Sequence, residues 1–294
     1  MTGPVAGRRL GVIGWPVERS LSPRIHAAAL AVAGLDWTYE RLPVPPGRLR
    51  AALEGLAADG FAGVNVTMPH KDEAAGLVHV RSELAGRLGA VNTVTVEDDG
   101  RLVGDDTDAP GFAAFLRLDA GFDAAGRTAL VLGAGGAARA CAWAVARQGA
   151  VRVIMAARDP LRAEAAVRPA LEGTSSSLRV IPFHDAGSSP ADLVVNATPL
   201  ALPPLPPVVL GSVVVDLAYR PAVTPLVRRA REAGATAHTG LGLLLRQAAL
   251  SFERWTGREA SLEAMRRAAE DALANEVSAN GAPPTWPRAE GRRA

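Results

Sequence analysis

An α/β fold in two domains, each with a largely parallel sheet, is what this sequence predicts, on three observations. Residues 9–108 alternate short apolar strands with helical segments. A second alternating series opens near residue 127 with strand, glycine turn, helix and strand in about thirty residues. Two amphipathic helices then close the pattern with no strand after them. A chain of 294 residues is long enough for two medium domains with ample cores.

Taken in order, "RLGVI" (9–13) is the first strand, followed by the loop "GWPVERSLSP" and a helix from Pro23 to Ala33. "WTYERLPV" (37–44) is a second strand, and "PPGRLRAALEGLAADG" is a helix opened by prolines. "FAGVNVT" is a third strand, and "KDEAAGLVHVRSELAGRLG" holds one or two helices. "AVNTVTVEDDGRLVGDDTD" reads as a hairpin, because Asp-Asp-Gly is a strong turn signal between two alternating runs. In the second series, "LRVIPF", "ADLVVNATPL" and "SVVVDLAY" supply further short strands. The closing helices, 240–257 and 261–276, are expected to fold back onto the first domain. The domains are therefore 1–109 plus 240–276, and 110–239, with a disordered tail over 277–294 rich in Pro, Ala and Gly.

Composition narrows the function. Hydrophobic residues make up 48% and charged residues 21%, and no apolar run is long enough to span a bilayer. The first apolar run suits a buried strand and not a signal peptide, so a cytoplasmic protein is expected. One cysteine, Cys141, excludes an internal disulfide. Net charge is +2 with scattered arginines, which argues against a nucleic-acid face. No His/Cys/Asp cluster has metal-ligand spacing, so no metal is expected.

The stretch "VLGAGGAARA" sets Gly133, Gly135 and Ala138 in the G-x-G-x-x-G/A pattern between a strand and a helix. The first glycine permits the tight turn, the second lets backbone approach a pyrophosphate, and the small third residue lets helix pack on strand. The phosphates then sit on free N–H groups at a helix N-terminus. The next strand ends in "MAARDPLR", where Arg158 and Arg162 can clamp a 2′-phosphate, which favours NADP. Asp159 between them could repel that phosphate or bind a ribose, so NAD remains open.

The remaining polar signals lie at loops after strands of the first domain, where α/β proteins bind ligands. Ser22 before Pro23 reads as a helix N-cap, whereas Ser20 has no capping duty. If the segment is extended, both hydroxyls face one way and could hold a carboxylate. Asn65 and Thr67 alternate in "GVNVT", Asn92 precedes "TVTV", and Gln247 lies on the helix that follows Gly240. As a group they suit a polyhydroxylated ligand. His26 and His70 read as structural or solvated. Of thirty-two Lys and Arg residues only Lys71 is lysine, the cation that can release a proton. Lys71 and Asp108 are the credible acid–base pair, with the lysine pKa expected to be lowered by an apolar cleft and the cofactor.

"SLSP", "GVNVTMPHK", "AVNT", "GDDTD", "GAGGAARA", "NATP", "DLAY" and the "RQA…FERWTG" ending together resemble the shikimate dehydrogenase family, in order from about residue 10 to 257. The resemblance implies a substrate domain and a Rossmann-type NADP domain around a deep cleft. It implies reversible NADPH-dependent reduction of 3-dehydroshikimate to shikimate, in aromatic amino-acid and chorismate biosynthesis. Carried over, Ser20 and Ser22 bind the substrate carboxylate, and Asn65, Thr67, Asn92 and Gln247 meet the ring hydroxyls. Tyr219 lies near the carboxylate or nicotinamide, and Lys71 and Asp108 are catalytic. Gly133, Ala134, Gly135, Gly136, Ala137, Arg158, Arg162, Thr198 and Gly240 bind the cofactor. The partners implied are small molecules only, with the chain a monomer or homodimer.

Four stretches of the sequence bear on that implication. Ala157-Arg158-Asp159 stands where the family has Asn-Arg-Thr, and Ala201-Leu202 where it has Gly-Met. Asp106 replaces an asparagine, adding a carboxylate near the catalytic one. Ser22 favours shikimate, since quinate-using relatives tend to carry threonine there. The alternatives are a quinate or aminoshikimate dehydrogenase of the same family, a non-catalytic shikimate-sensing relative, and a folate-dependent dehydrogenase of similar plan.

Overall fold

In the computed structural model, which describes residues 7–201, 203 and 212–279, the chain builds two six-stranded sheets. The first contains β1 (Arg9–Gly14), β2 (Thr38–Pro43), β3 (Phe61–Val66), β4 (Val80–Arg81), β5 (Thr93–Val96) and β6 (Leu102–Asp105), in the order β2-β1-β3-β5-β6-β4. β1 runs parallel to β2 and β3, and β4 parallel to β6, whereas β5 is antiparallel to both neighbours. The antiparallel part is the β5–β6 hairpin around the Asp-Asp-Gly turn. β3 is buried at every position, as a central strand covered on both faces must be.

Five helices belong to this stretch: α1 (Ser22–Ala33), α2 (Leu49–Gly55), α3 (Lys71–Leu77), α4 (Glu83–Leu88) and α5 (Asp108–Leu118). α5 was not among the helices read from the sequence, because Pro110 and Gly111 in its first turn look like breakers. Proline is tolerated there, where the helix has no partner for its N–H groups.

The second sheet is parallel throughout: β7 (Thr128–Leu132), β8 (Arg152–Ala157), β9 (Ser177–Pro182), β10 (Leu193–Asn196), β11 (Val213–Asp216) and β12 (Thr236–Thr239). Its order, β12-β11-β10-β7-β8-β9, is the doubly wound order of dinucleotide-binding sheets, with the topological switch between β7 and β10. Its helices are α6 (Gly136–Arg147), α7 (Pro160–Leu171) and α8 (Pro225–Glu232). α8 and β12 also escaped the sequence reading; a four-residue strand is too short to show a period.

The chain ends in α9 (Leu241–Thr256) and α10 (Leu262–Ala279). α9 packs against the first sheet and α10 against α1 and α9, and Leu245, Phe252, Trp255, Met265 and Leu273 join Leu10, Val12 and Ile25 in one buried cluster. α10 runs three residues past Glu276. The rest of the expected tail, 280–294, and Leu202 of the Ala201-Leu202 pair lie outside the described residues. The two sheets are linked through α5, which packs on both α6 and α9. Contact with α9 is close enough that a Cβ on Gly111 would lie 2.9 Å from the Gln247 nitrogen, so α5 needs glycine where it crosses.

Candidate active site

The loops at the carboxyl ends of the strands converge on one cleft of about 460 Å³, within the range of small-molecule sites. Its lining includes every residue singled out for substrate: Ser20 and Ser22 after β1, Asn65 and Thr67 at the end of β3, and Asn92 before β5. Tyr219 after β11 and Gln247 on α9 complete that set, and Lys71 and Asp108 line the same space. Gly240 and Ala137 face it from the second sheet's side.

The floor is a closed hydrogen-bond network. Asn65 is 6% exposed; its amide nitrogen donates to Ser251 Oγ (2.9 Å), Asn92 O and Thr93 Oγ1 (3.2 Å each), and its oxygen accepts from Tyr39 OH (2.8 Å). The Asn92 side-chain oxygen accepts from the Thr107 N–H (2.8 Å) and Thr93 Oγ1 (2.9 Å). Ser251 also lies 3.1 Å from Thr107 Oγ1 and donates to Gln247 O at 3.0 Å. Tyr39, Thr93, Thr107 and Ser251 were missed in the sequence. Ser251 carried a usable signal, since it lies one turn after Gln247 on the same face of α9.

The serine loop differs from its sequence reading. Leu21 already has helical torsions, φ −81° and ψ −13°, so α1 starts a residue early and Ser22 is not its N-cap. Instead Ser20 Oγ accepts the Ser22 N–H at 3.2 Å. Ser20 thus does the capping-type work assigned to Ser22, and the segment is not extended; both residues still line the cleft.

Lys71 opens α3 and Asp108 opens α5, and the ammonium donates directly to Asp108 Oδ2. Burial acts to lower the Lys71 pKa, but the Asp108 and Asp106 carboxylates outweigh it and the value ends above that of an ordinary lysine. This reverses the expected lowering: a buried cation beside two acids is favoured charged. Asp106 itself is pushed up to about 8, chiefly by burial and then by Asp108. One of its oxygens accepts the Ala109 N–H at 2.9 Å, while Oδ2 has no hydrogen-bond partner among the described residues. His26 is a core residue stacked 4.2 Å from the Tyr39 ring, and burial lowers its pKa to about 3. His70 is buried with Nε2 2.6 Å from Val44 O.

On the nucleotide side, Gly133 directly follows β7 with φ +112°, a torsion only glycine adopts easily, and Gly135 precedes the first residue of α6, Gly136. A Cβ on Gly135 would meet no atom within 4 Å, so the helix N-terminus opens onto free space where backbone N–H groups can take a pyrophosphate. Thr198 after β10 lies beside the turn; its Cγ2 would be 3.3 Å from a Cβ on Gly133. Arg158 and Arg162 are exposed, and among the described residues neither guanidinium makes an ion pair or hydrogen bond. Asp159, left ambiguous by the sequence, caps α7: its carboxylate accepts the Arg162 N–H at 3.1 Å. These residues fit a dinucleotide with a 2′-phosphate. Ala134 joins the turn to the first domain, because its carbonyl accepts from Arg139 (3.1 Å), which also bonds Leu88 O (2.7 Å) and Asp72 (2.5 Å). Nothing in the sequence marked Arg139. The seam is tight: a Cβ on Gly136 would come 3.4 Å from Lys71 Cδ.

Comparison with known proteins gives the same picture from outside. Residues 12–94 match the shikimate dehydrogenase substrate binding domain, and residues 240–270 match the shikimate 5′-dehydrogenase C-terminal domain. The chain is 44% identical to shikimate dehydrogenase (NADP(+)) of Rubrobacter xylanophilus, over 88% of this chain and 94% of that one. It is 41% identical to the same enzyme of Methanopyrus kandleri, over 88% and 93%. Among solved structures, shikimate 5-dehydrogenase of Thermus thermophilus in complex with NADP(H) and shikimate superposes with a TM-score of 0.79 at 39% identity, covering 90% of this chain and all of that one. Likeness of this extent, in sequence and in fold together, has one reading: the chain belongs to the shikimate dehydrogenase family.

Proposed function

We propose that this protein catalyses the reversible reduction of 3-dehydroshikimate to shikimate with NADPH. The observation that carries the reading is the Lys71–Asp108 ion pair, set in the substrate cleft with the lysine stem against the start of the dinucleotide helix. The relatives' names and the shikimate and NADP(H) in the Thermus structure support the substrate and cofactor. On this reading residues 1–109 plus 240–276 form the substrate half and 110–239 the nucleotide half, working on small molecules in the cytoplasm as a monomer or homodimer.

Bound NADPH supplies the hydride that reduces the substrate carbonyl. Ser20, Ser22 and Tyr219 hold the carboxylate, and Asn65, Thr67, Asn92 and Gln247 orient the ring hydroxyls. The network behind Asn65 and Asn92 keeps those amides from turning, so the ring is held in one pose. Lys71, kept charged by its neighbours, gives its proton to the carbonyl oxygen as that oxygen becomes an alcohol. Asp108 holds the ammonium on line and stabilises it. In the oxidative direction the neutral amine takes the hydroxyl proton back. Gly133, Ala134, Gly135, Gly136 and Ala137 would hold the pyrophosphate of the cofactor, Arg158 and Arg162 its 2′-phosphate, and Thr198 and Gly240 its nicotinamide end. The test is NADPH oxidation with 3-dehydroshikimate, repeated with NADH. Turnover with NADPH well above that with NADH is expected, and no turnover with either rejects the reading.

A further inference from the structure

Two arginines in the cleft lining belong to none of the roles above. Arg19 immediately precedes Ser20 and Arg220 immediately follows Tyr219, and both arginines line the same cleft as the residues that the preceding section gives to the substrate carboxylate. They reach the cleft from different halves, Arg19 from the loop after β1 and Arg220 from the loop after β11. Both meet one acid, Glu276, near the end of α10. Arg220 grips it with two parallel bonds, Nε to Oε2 at 2.7 Å and Nη2 to Oε1 at 2.6 Å, and Arg19 Nη2 lies 3.9 Å from Oε2. The Arg220 guanidinium also lies 5.2 Å from the centre of the Tyr219 ring.

The exposures separate the two arginines. The Arg19 side chain is 78% exposed, so its pairing is screened by water, whereas that of Arg220 is 16% exposed. A planar fork held against an aromatic ring, partly out of water, is a specific receptor for a carboxylate and not a diffuse surface charge. Glu276 presents to it the same group that the substrate carries.

We propose that Arg220 is a specificity-determining residue that reads the substrate's carboxylate, and that Glu276 is an internal carboxylate competing for the same fork. The assignment rests on the functional reading above. The substrate carboxylate is then recognised from both halves, by the two serine hydroxyls on one side and by Tyr219 with a guanidinium on the other. Glu276 holds that guanidinium in position and weakens its hold on anions in general.

The test compares kcat/KM for shikimate oxidation with that for shikimate methyl ester, with NADP+, in the wild type and in R220Q, R220K and E276Q; an ester too slow to turn over is read as a competitive inhibitor. A clasp that merely joins the halves would move acid and ester together, so the acid-over-ester ratio is the readout. R220Q is expected to lower the ratio about tenfold, mostly through KM, the size of one charge-assisted hydrogen-bonded pair. R220K should recover only part of it, keeping the charge without the fork. E276Q should raise the ratio by freeing Arg220. Ratios within about twofold of wild type in both R220Q and E276Q overturn the assignment and leave a structural clasp. Should R220Q not fold, E276Q decides by itself, an unchanged ratio again overturning the proposal. Absence of shikimate turnover by the wild type overturns the functional reading and this assignment with it, whereas normal wild-type turnover with unchanged ratios overturns this assignment alone.

Discussion

The floor of the cleft and its nucleotide rim are built on opposite plans. At the floor, Asn65, Asn92, Thr93, Thr107 and Ser251 satisfy one another, drawn from β3, the β5–β6 hairpin, the turn before α5 and the middle of α9. At the rim, Arg158 and Arg162 stand in solvent with no side-chain partner among the described residues, and the N-terminus of α6 faces open space. The uncharged hydroxyls of a ring need an array whose donors and acceptors are already aimed, since each misplaced hydroxyl costs an unmade bond. A phosphate brings its own charge and can draw two mobile cations to itself. The floor therefore selects by geometry and the rim by charge.

Lys71 sits on the seam between these plans, and its replacement has the largest expected effect. Lys71→Arg keeps a cation beside Asp108 but removes the only one that can hand over a proton at working pH. We expect kcat to fall about 10²–10⁴-fold with the circular dichroism spectrum unchanged. Near-normal turnover would remove lysine from the mechanism and leave the seam purely electrostatic. The next effect belongs to the rim. Arg158→Gln should lower the NADPH-over-NADH preference in kcat/KM about 10–100-fold, as expected for a charge-assisted contact to the 2′-phosphate. Since the Asp159 carboxylate is occupied capping α7, Asp159→Asn should change that preference far less.

The floor should fail differently, in stability before specificity. Ser251 is fully buried and touches Asn65, Thr93, Thr107 and the Gln247 carbonyl. Ser251→Ala leaves those groups one partner short, and we expect a loss of about 1–3 kcal/mol in urea denaturation. A cost near zero would mean that the network relaxes and is not preorganised.

The same contrast explains what could be read in the chain before its structure. The rim was legible because its parts are local: the glycine turn, Arg158 and Arg162 follow one another within thirty residues of a single βαβ unit. Lys71 was legible through composition, as one lysine among thirty-one arginines. The floor was legible only by its ends. Asn65, Asn92 and Gln247 were visible as rare amides, but the hydroxyls between them were not, because Asn65 and Ser251 are 186 residues apart. Arg139 and the Arg220–Glu276 pair were hidden for the same reason, since ion pairs across domains leave no local pattern. The inverted roles of Ser20 and Ser22 turn on one residue of helix phase, below the precision with which helix ends can be placed from sequence.

Asp106 is the exception inside the floor's plan, and it supplies the smallest and most specific test. It is 1% exposed, one oxygen is satisfied by the Ala109 N–H, and the other has no partner among the described residues. Burial, then Asp108, push its pKa up to about 8, against the pull of Lys71. An unfolded aspartate titrates near about 3.9, so between these values the folded chain holds a proton that the unfolded chain has released. Raising the pH through that window must therefore erode folded stability, and the contribution is fully present only below the unfolded value. Asparagine keeps the oxygen that caps α5 and cannot ionise. Asp106→Asn should accordingly gain on the wild type as pH rises, the difference in Tm widening by about 3 °C or more from pH 5 to pH 9 and levelling off above the folded pKa. A difference that stays constant across that range would mean that Asp106 is ionised in the folded protein. The acid–base centre would then carry two buried carboxylate charges against one lysine.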